Sequence, residues 1–464
     1  MKTLTTIFTF VFLSLGLVSV TSYAKSAIDT ELTAEMMSLV QQHYPQDGAG
    51  AAVLFMKGDR VLFEQAAGMA VVEFGVPMRT DMAFHLGSIT KQFTAVGLLM
   101  LQEAGKLELD HMVKRYIPEY KQAQLSNMTL RHLLTHTAGV PDYDGKNGYS
   151  HHGTQADSFE TLLGVFNDLP LEFTPGTAVN YSNSGYILLG KVIENVSGIS
   201  YPEFIKRHIF EPLEMHQSDF FDYYRVWPGL AKGYEVASSK VDTIQHGTAF
   251  KPSFLGDGGI VSTLADMKKW YRGLKQNKLI NAQSKQLAHS SFQLVDGRDS
   301  KQGLGWKIAR LGSYKTVEHG GNNHGFENYV LQLPEQEVTV MVLTNLNQSY
   351  PGALAEKLAS LAVGEGLADK PEIQLSAQQL DAFTGRYQYP DGAIRTIKRN
   401  GNYLYSEKGD GVKSKLVPFA GNQFFFESAP VYWLRFESIG NSNQKEMYSE
   451  SRVSASIKGK MVEG

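Results

Sequence analysis

Two polar residues one helical turn apart open an apolar stretch of this chain. Ser88 and Lys91 precede a segment, 93–100, that has the pattern of a buried helix. At about 100° per residue, a spacing of three brings the hydroxyl and the amine within roughly 60° of each other around the helix. Burial lowers the pKa of a lysine, and an uncharged Lys91 can accept the serine proton. The pair fits nucleophilic catalysis, and by itself it fits an ordinary N-cap with a solvated lysine equally well.

A second polar group lies just before another predicted helix. Tyr181-Ser182-Asn183 follows a Thr-Pro-Gly turn, so the tripeptide is expected on a loop that leads into the helix starting near Ser184. The phenol of Tyr181 can relay a proton, and the amide of Asn183 can orient Lys91 or a substrate amide. Read alone, a tyrosine in such a place is more often a core or interface aromatic.

A third group combines a histidine with two glycines. His319-Gly320-Gly321 is predicted to end the strand 314–318. Paired glycines allow a substrate backbone to lie close against an edge strand, and the histidine adds a polar or cationic group above them. Taken in isolation, the segment also fits a plain glycine-rich turn.

Together the three groups resemble the motifs of a known superfamily. In the order Ser-x-x-Lys, Tyr-x-Asn and His-x-Gly, they are similar to those of the serine penicillin-recognising enzymes, which include DD-peptidases, class C β-lactamases and their esterase and aminopeptidase relatives. The resemblance covers roughly Ala27 to Val363. It extends over four further stretches: Phe84–Lys91, His132–Gly139, Gly258–Asp266 and Gly303–Trp306.

The resemblance assigns a role to each site residue. Ser88 would be the acylated nucleophile, with Lys91 and Tyr181 sharing the general-base and proton-shuttle roles. The oxyanion hole would use the backbone N–H groups of Ser88 and Asn322. The substrate-binding residues it implies are Asn183, His319, Gly320, Gly321 and Asn322.

One position departs from the class C pattern. His319 stands where class C β-lactamases usually carry lysine, which looks more like the DD-peptidases, D-aminopeptidases and carboxylesterases of the superfamily. The chain also offers no deacylation carboxylate like that of class A β-lactamases. The departure weakens the interpretation as a dedicated β-lactamase without removing it.

The elements that must position these residues predict an α+β fold. A helix over 29–44, a hairpin formed by 51–56 and 61–66, and a mostly helical inserted region over about 88–300 precede strands at 305–309, 314–318, 328–333 and 337–344. A helix over 352–362 closes this part. We expect the first hairpin and the late strands to share one antiparallel sheet flanked by helices, as in the β-lactamase/transpeptidase-like fold.

Composition changes near 364–371, which we take as a linker between a hydrolase domain (25–363) and a C-terminal domain (372–464). Beyond it, six short aromatic-rich strands alternate with glycine and asparagine turns, which is typical of a small all-β barrel. This segment resembles the lipocalin-like domain appended to some of these enzymes. The strands are predicted at 385–389, 394–399, 403–407, 415–418, 423–427 and 432–438.

Composition also excludes several kinds of function. The chain has 464 residues, a net charge of −3 and no cysteine, so a nucleic-acid partner, thiolate chemistry and disulfides are all disfavoured. His132 and His136 have the spacing of a zinc pair, but Leu133 stands where a metalloprotease needs glutamate, so we expect no metal and no other cofactor. The adjacent pair His151 and His152 lies in a polar loop, 142–157, that can rim a cleft.

The N-terminus has the pattern of a secretory signal. Lys2 precedes an apolar run, and Ser22-Tyr23-Ala24 ends it with the small residues that a signal peptidase reads, so residues 1–24 are predicted to be removed. The run is short for a bilayer span, so we expect a periplasmic or secreted protein without a stable membrane anchor.

The sequence therefore predicts an exported serine hydrolase that acts through an acyl-enzyme on D-amino-acid-containing peptides or related amides. The expected partner is a small-molecule or peptide substrate, either a peptidoglycan fragment or a β-lactam. The alternatives are a β-lactamase, a carboxylesterase and a penicillin-binding sensor without turnover. Specificity is expected in the loops 142–157 and 217–257.

Overall fold

The computed structural model describes most of the chain beyond its N-terminal segment. The predicted signal peptide, the histidine pair 151–152 and nearly all of the predicted linker lie outside the described residues. The described residues are 32–144, 158–222, 225–236, 244–246, 256–323, 325–364, 372–389, 392–408, 413–427, 429–438, 445–452 and 457–462.

The larger part of the molecule is built around a six-stranded antiparallel sheet of order β10-β11-β12-β13-β1-β2. The first hairpin of the chain thus pairs with the late strands, which confirms the predicted sheet. The strands of this part are β1 (Ala51–Lys57), β2 (Arg60–Ala67), β3 (Met69–Val71), β4 (Val76–Pro77), β5 (Ala83–His85), β6 (Asp219–Phe220), β7 (Tyr234–Val236), β8 (Ile244–His246), β9 (Ile260–Thr263), β10 (Lys307–Leu311), β11 (Tyr314–Asn323), β12 (Phe326–Leu333) and β13 (Val338–Thr344).

Helices cover both faces of the sheet and fill the region between β5 and β10. Across the described residues, no helix has the length and the apolar character needed to cross a bilayer. The helices are α1 (which includes 32–43), α2 (Thr90–Glu103), α3 (Lys121–Leu125), α4 (Leu130–Leu134), α5 (Phe159–Phe166), α6 (Asn183–Ser197), α7 (Tyr201–Ile205), α8 (Leu264–Lys275), α9 (Ala282–Ala288), α10 (Pro351–Val363) and, in the C-terminal part, α11 (Ala377–Asp381).

The sheet is buried on both faces because its central strands are apolar throughout. Successive residues of β1 point to opposite faces: Leu54 joins the core formed with the inserted helices, whereas Val53 and Phe55 join a second core. The second core is formed with α1 and α10, through Val40 and Leu358 among others. The predicted α+β class is confirmed, and the sheet forms a rigid base for the site.

The C-terminal part is a closed barrel of eight antiparallel strands, which confirms the predicted small all-β barrel. It closes where β14 pairs with β21, and Tyr387, Leu404 and Phe424 lie in its core. Its last two strands were not among the six predicted, because their charged sequences hide the alternation. The strands are β14 (Gly385–Gln388), β15 (Ile394–Asn400), β16 (Tyr403–Lys408), β17 (Lys413–Ala420), β18 (Gln423–Phe426), β19 (Ala429–Ser438), β20 (Lys445–Ser451) and β21 (Ile457–Val462).

Candidate active site

Ser88 lies on a tight turn that leads into α2. Residues Gly87–Ile89 form a single 3₁₀ turn, and Gly87 has a φ of +55°, a conformation that favours glycine. A Cβ atom at Gly87 would stand 2.8 Å from the carbonyl oxygen of Asn322, so this turn packs directly against the backbone of β11. The packing brings the main chains of Ser88 and Asn322, the two predicted oxyanion donors, to the same place.

Lys91 occupies the first turn of α2 and is fully buried. Its Nζ lies 3.1 Å from Ser88 Oγ, 2.8 Å from Asn183 Oδ1 and 2.8 Å from the main-chain oxygen of Asp257. Burial lowers the pKa of Lys91 to about 8, although the nearby carboxylates of Asp257 and Asp142 oppose the shift. The structure therefore brings together residues from the first two motifs and places an amine that can lose its proton beside the serine.

A neutral amine at this position has its lone pair directed at the serine. Uncharged Lys91 retains two N–H bonds, and the oxygens of Asn183 and Asp257 accept both. The remaining tetrahedral direction points to Ser88 Oγ, the third neighbour. The arrangement is therefore that of a general base and its nucleophile.

Tyr181 lies over the same group. The Nζ atom of Lys91 is 4.8 Å from the centroid of the Tyr181 ring, and the ring of His136 stacks on the tyrosine at 4.2 Å between centroids. The Tyr181 hydroxyl is buried and makes no hydrogen bond within the described residues, and desolvation raises its pKa while the adjacent Ser88 hydroxyl opposes the rise. A phenol held protonated in this way can donate its proton to a leaving group.

The loop that carries Tyr181 is fixed by contacts of the two residues that follow it. Ser182 caps α6, since its Oγ accepts a hydrogen bond from the N–H of Gly185 at 3.1 Å. Its own N–H donates to Nδ1 of His136 at 3.1 Å, and the N–H of Asn183 donates to the Asp142 carboxylate at 2.7 Å. These contacts hold Tyr181 and Asn183 facing Lys91.

The histidine pair of the second matched stretch has structural roles. Nδ1 of His132 accepts from the N–H of Thr129 in a capping box at the start of α4, and Nδ1 of His136 accepts from Ser182. Burial lowers the pKa of both imidazoles, which keeps them neutral. Within the described ranges, no group of three or more His, Cys, Asp or Glu side chains is placed to hold a metal ion.

The third motif lies inside a strand rather than at its end. β11 continues through His319, Gly320 and Gly321 to Asn323, which corrects the predicted end at 318. The ladder with β10 stops at the pair Lys307–Glu318, so the second half of β11 extends beyond it. A Cβ atom at Gly321 would stand 1.9 Å from the carbonyl oxygen of Leu86, so this glycine is required for the close approach of β11 to the serine turn.

His319 is a neutral polar group in this structure. Its Nδ1 lies 2.5 Å from the carbonyl oxygen of Gly320 and must donate to it, which leaves Nε2 as an acceptor. Burial lowers the pKa of His319 to about 3, helped by the positive charges of Lys307 and Lys91. Of the polar and cationic roles that the sequence left open, the structure supports the polar one.

Lys307, a residue that the sequence analysis did not single out, supplies a positive charge to the cleft. It begins β10 directly after the fourth matched stretch, and its Nζ lies 6.0 Å from the centroid of the Tyr181 ring. Only the register of β10 against β11 reveals this placement. Two other residues were also missed: Asp257, whose main-chain oxygen accepts from Lys91, and Tyr143, whose hydroxyl donates to the Asp257 carboxylate at 2.9 Å.

These residues line a cavity of about 330 Å³. Most of the lining comes from the part of the chain that ends with α10, and the C-terminal part contributes Tyr432, Ser451 and Arg452. Among the sequence-predicted residues, those in the lining are Ser88, Tyr181, His319, Gly320, Gly321 and Asn322. Lys91 and Asn183 lie behind Ser88 and contact it or one another. All eight predicted residues therefore belong to one site or its immediate support.

Comparison with known proteins agrees with this geometry. The family model described as Beta-lactamase matches residues 38–365. "Penicillin-binding protein 4*" of Bacillus subtilis (strain 168) is 28% identical over 404 residues, which are 82% of this chain and 88% of that protein. The similarity to this relative thus extends well beyond the matched domain.

Solved structures share the fold. The octameric penicillin-binding protein homologue from Pyrococcus abyssi aligns with a TM-score of 0.64 at 23% identity, covering 93% of this chain and 99% of its own. A D-amino acid amidase from Ochrobactrum anthropi SV3 aligns with a TM-score of 0.63 at 22% identity, covering 72% and 98%. At these identities the likeness concerns the fold alone.

Proposed function

The chain belongs to the beta-lactamase family and is a serine hydrolase of the β-lactamase/DD-peptidase type, and from this premise we propose that it cleaves D-amino-acid-containing peptides or related amides through an acyl-enzyme on Ser88. The observation that carries the proposal is the buried Lys91. Its two acceptors direct the lone pair of the neutral amine at the serine hydroxyl.

In the first half of the proposed reaction, Ser88 Oγ attacks the substrate carbonyl carbon while its proton passes to Lys91. The carbonyl oxygen becomes an oxyanion and accepts hydrogen bonds from the N–H groups of Ser88 and Asn322. When the C–N bond breaks, the leaving amine takes a proton from Tyr181, and Lys91 returns its proton to the phenolate. The ester on Ser88 and the free amine account for every atom and proton.

In the second half, water replaces the amine. It attacks the ester carbonyl and gives one proton to neutral Lys91 through the Tyr181 hydroxyl; the acid is then released as Lys91 returns that proton to Ser88 Oγ. Nε2 of His319 can accept from a substrate N–H, because its Nδ1 hydrogen is held by Gly320.

The choice of substrate class rests on two supports. The third motif carries a histidine, which the sequence analysis associates with DD-peptidases, D-aminopeptidases and carboxylesterases, and the Bacillus subtilis relative, which matches 82% of this chain, is named a penicillin-binding protein. Export is part of the same proposal, since peptidoglycan lies outside the cytoplasm. Removal of residues 1–24 is tested by N-terminal sequencing of the protein recovered from periplasm and medium; an intact Met1 in those fractions contradicts it.

The proposal is tested by intact-mass spectrometry of the protein with benzylpenicillin and with diacetyl-Lys-D-Ala-D-Ala, alongside D-alaninamide. We expect an acyl adduct on Ser88 and release of D-alanine or ammonia by the unmodified protein. Ser88→Ala should abolish both, whereas Ser290→Ala, at an exposed serine outside the cavity, should change neither. Activity retained by Ser88→Ala contradicts the proposal.

The same experiment, with a simple ester added to the set of substrates, separates the alternatives. Fast consumption of penicillin without an adduct indicates a β-lactamase, and a lasting adduct without turnover of the peptide or the amide indicates a sensor. Turnover of simple esters with neither peptide nor amide cleaved indicates a carboxylesterase.

A further inference from the structure

Arg452 connects the barrel to the hydrolase part by side-chain hydrogen bonds. Arg452 follows β20 and places its guanidinium beside two buried carboxylates, those of Glu318 on β11 and Glu356 on α10. Its Nη1 and Nη2 donate to the two oxygens of Glu318 at 2.7 and 2.6 Å, and Nη2 also donates to Glu356 at 2.6 Å. A two-pronged contact of this kind is geometrically specific and among the strongest that side chains make.

These contacts leave the Glu318 carboxylate with no acceptor site to spare. Besides Arg452, Oε1 of Glu318 accepts from the Thr316 hydroxyl at 2.5 Å, and Oε2 accepts from the Tyr329 hydroxyl at 2.7 Å. Each oxygen thus already has two donors, which matches its two lone pairs. The side chain is fully buried, so no further donor can approach from solvent.

Lys307 is the residue that would otherwise pair with Glu318. The two stand directly opposite each other in the ladder of β10 and β11, a distance that a lysine side chain readily spans. Yet the ammonium of Lys307 makes no hydrogen bond or ion pair with the described residues. Its ammonium instead lies over Tyr181, on the wall of the cavity that contains Ser88.

We propose that Arg452 is a positioning residue for the active site: by saturating Glu318 it leaves the ammonium of Lys307 free to bind a carboxylate of the substrate. The inference rests on the proposed function, whose peptide and β-lactam substrates carry a carboxylate near the scissile bond, and it adds the residue that keeps a cation available for that carboxylate. It also gives the barrel a role in the chemistry of a site that lies on another part of the chain. Since His319 is neutral and Arg452 is paired with two carboxylates, Lys307 is the group in the described lining that is left to meet an anion.

The test compares two substrates that differ only in charge. The depsipeptide hippuryl-phenyllactate carries a free carboxylate beside its ester, and the same ester with that carboxylate converted to a carboxamide is its neutral match. We expect the unmodified enzyme to prefer the carboxylate, and Lys307→Met to remove the preference by raising KM about ten-fold or more for the charged ester alone. Arg452→Met should do the same, because Lys307 then turns to Glu318.

Further variants separate positioning from mere folding. Glu318→Gln and Glu356→Gln combined with Arg452→Met should regain the carboxylate preference, since neither carboxylate of the cluster is then left to recapture Lys307. Arg435→Met is the control, because Arg435 also pairs with a glutamate of the barrel, Glu450 at 2.6 Å, outside the cavity. Absence of the preference in this triple variant, or equal losses for both esters in Lys307→Met, overturns the proposal.

The preference for the charged ester is also measured without turnover. For this, the binding of both esters to the Ser88→Ala protein is measured by calorimetry. Equal binding of the two esters there overturns the inference while leaving acylation of Ser88 intact. A protein that is acylated at a residue other than Ser88 contradicts the proposed function instead, so the two failures are distinguishable.

Discussion

Lys91 meets two requirements that usually conflict. It must be out of water to lose its proton near neutral pH, and it must keep hydrogen-bond acceptors to stay in place. The structure meets both with uncharged acceptors, the amide oxygen of Asn183 and the main-chain oxygen of Asp257, which hold the amine without adding a full negative charge at contact distance. The pKa of about 8 reflects this choice.

The first prediction concerns the pH dependence of acylation and its response to a charge at Asn183, one of the two acceptors. The rate of acylation should rise with pH through about 8, because the neutral form of Lys91 is the base and is populated above its pKa. Asn183→Asp places a carboxylate beside the amine, stabilises its charged form and should move the profile to higher pH by about one to three units. The profile is measured as kcat/KM against pH.

The matched control is Asn277→Asp. The amide oxygen of Asn277 also accepts from a lysine, Lys285 at 2.6 Å, but on the exposed surface away from the cavity. That variant should keep the original profile. An unshifted profile in Asn183→Asp would mean that a group other than Lys91 sets the pH dependence.

The second prediction concerns the phenol. Tyr181→Phe removes the hydroxyl that supplies the leaving-group proton and should slow acylation by about 10²- to 10⁴-fold, with little change in the unfolding midpoint. Tyr120→Phe removes a hydroxyl that is likewise buried without a hydrogen bond, but in the core beside Phe166. Single-turnover kinetics on both variants decide the matter, and similar rates in the two would exclude a role for Tyr181 in proton transfer.

At the scale of elements, β11 is the strand on which the site depends. It carries His319, its backbone follows the serine turn, and Glu318 connects it to the barrel. The contact with the turn is so close that position 321 has no room for a side chain. This strand and the start of α2 therefore act as a pair whose spacing sets the oxyanion hole.

The third prediction compares two adjacent glycines of β11. Gly321→Ala puts a methyl group 1.9 Å from the Leu86 carbonyl, which only movement of the backbone can relieve, so we expect a loss of about 1–3 kcal/mol of unfolding free energy and a large loss of acylation rate. At Gly320 the new methyl meets the edge of the Tyr329 ring at 3.2 Å, which a small shift accommodates. Urea unfolding and acylation rates of the two variants give the test; equal effects would refute it.

Local patterns predicted most of the elements and the first two motifs. The Ser88–Lys91 spacing is a property of a single helical turn, and the hairpin at 51–66 can be read from its alternation. The true length of β11 could not be predicted, because glycine and asparagine in succession are typical of a turn. Here they form a strand because β12 pairs with them and the serine turn packs against them. The charged strands β20 and β21 were missed for the same kind of reason: pairing on both sides, rather than composition, makes them strands.

The residues that were missed depend on contacts distant in sequence. Lys307 enters the site through the register of β10 on β11, and Arg452 meets Glu318 across 134 positions. Neither contact leaves a period or a motif in one sequence. Both are visible only once the sheet and the barrel are in place.

At the scale of the whole molecule, the barrel and the hydrolase part meet at a buried ionic cluster. Arg452 is 16% exposed in its side chain, Glu318 is fully buried and Glu356 is 9% exposed. Removing one charge from such a cluster strongly lowers the free energy of unfolding, because the remaining charges are then buried without a partner.

The fourth prediction follows from this cluster. Arg452→Met should lower the free energy of unfolding by about 3–5 kcal/mol, since Glu356 is then left without its cation and Glu318 exchanges its two-pronged arginine contact for Lys307. Glu318→Gln together with Glu356→Gln should restore much of that loss in the same background. The comparison is made by urea unfolding at constant pH, with Arg435→Met as the control for a partly exposed pair, where about 1 kcal/mol or less is expected. A stable Arg452→Met protein would show that the cluster contributes little to holding the two parts together.

The same cluster constrains how chains of this kind can change by gene rearrangement. A descendant that lost the segment encoding the barrel would inherit two acids, Glu318 and Glu356, without the cation that neutralises them. We therefore expect lineages without the barrel to have replaced those acids, and a barrel exchanged between relatives to function only where its counterpart of Arg452 travels with it. The two parts are joined in the sequence by a short segment. The ionic cluster adds a second link, because Arg452, Glu318 and Glu356 must be inherited together or replaced together.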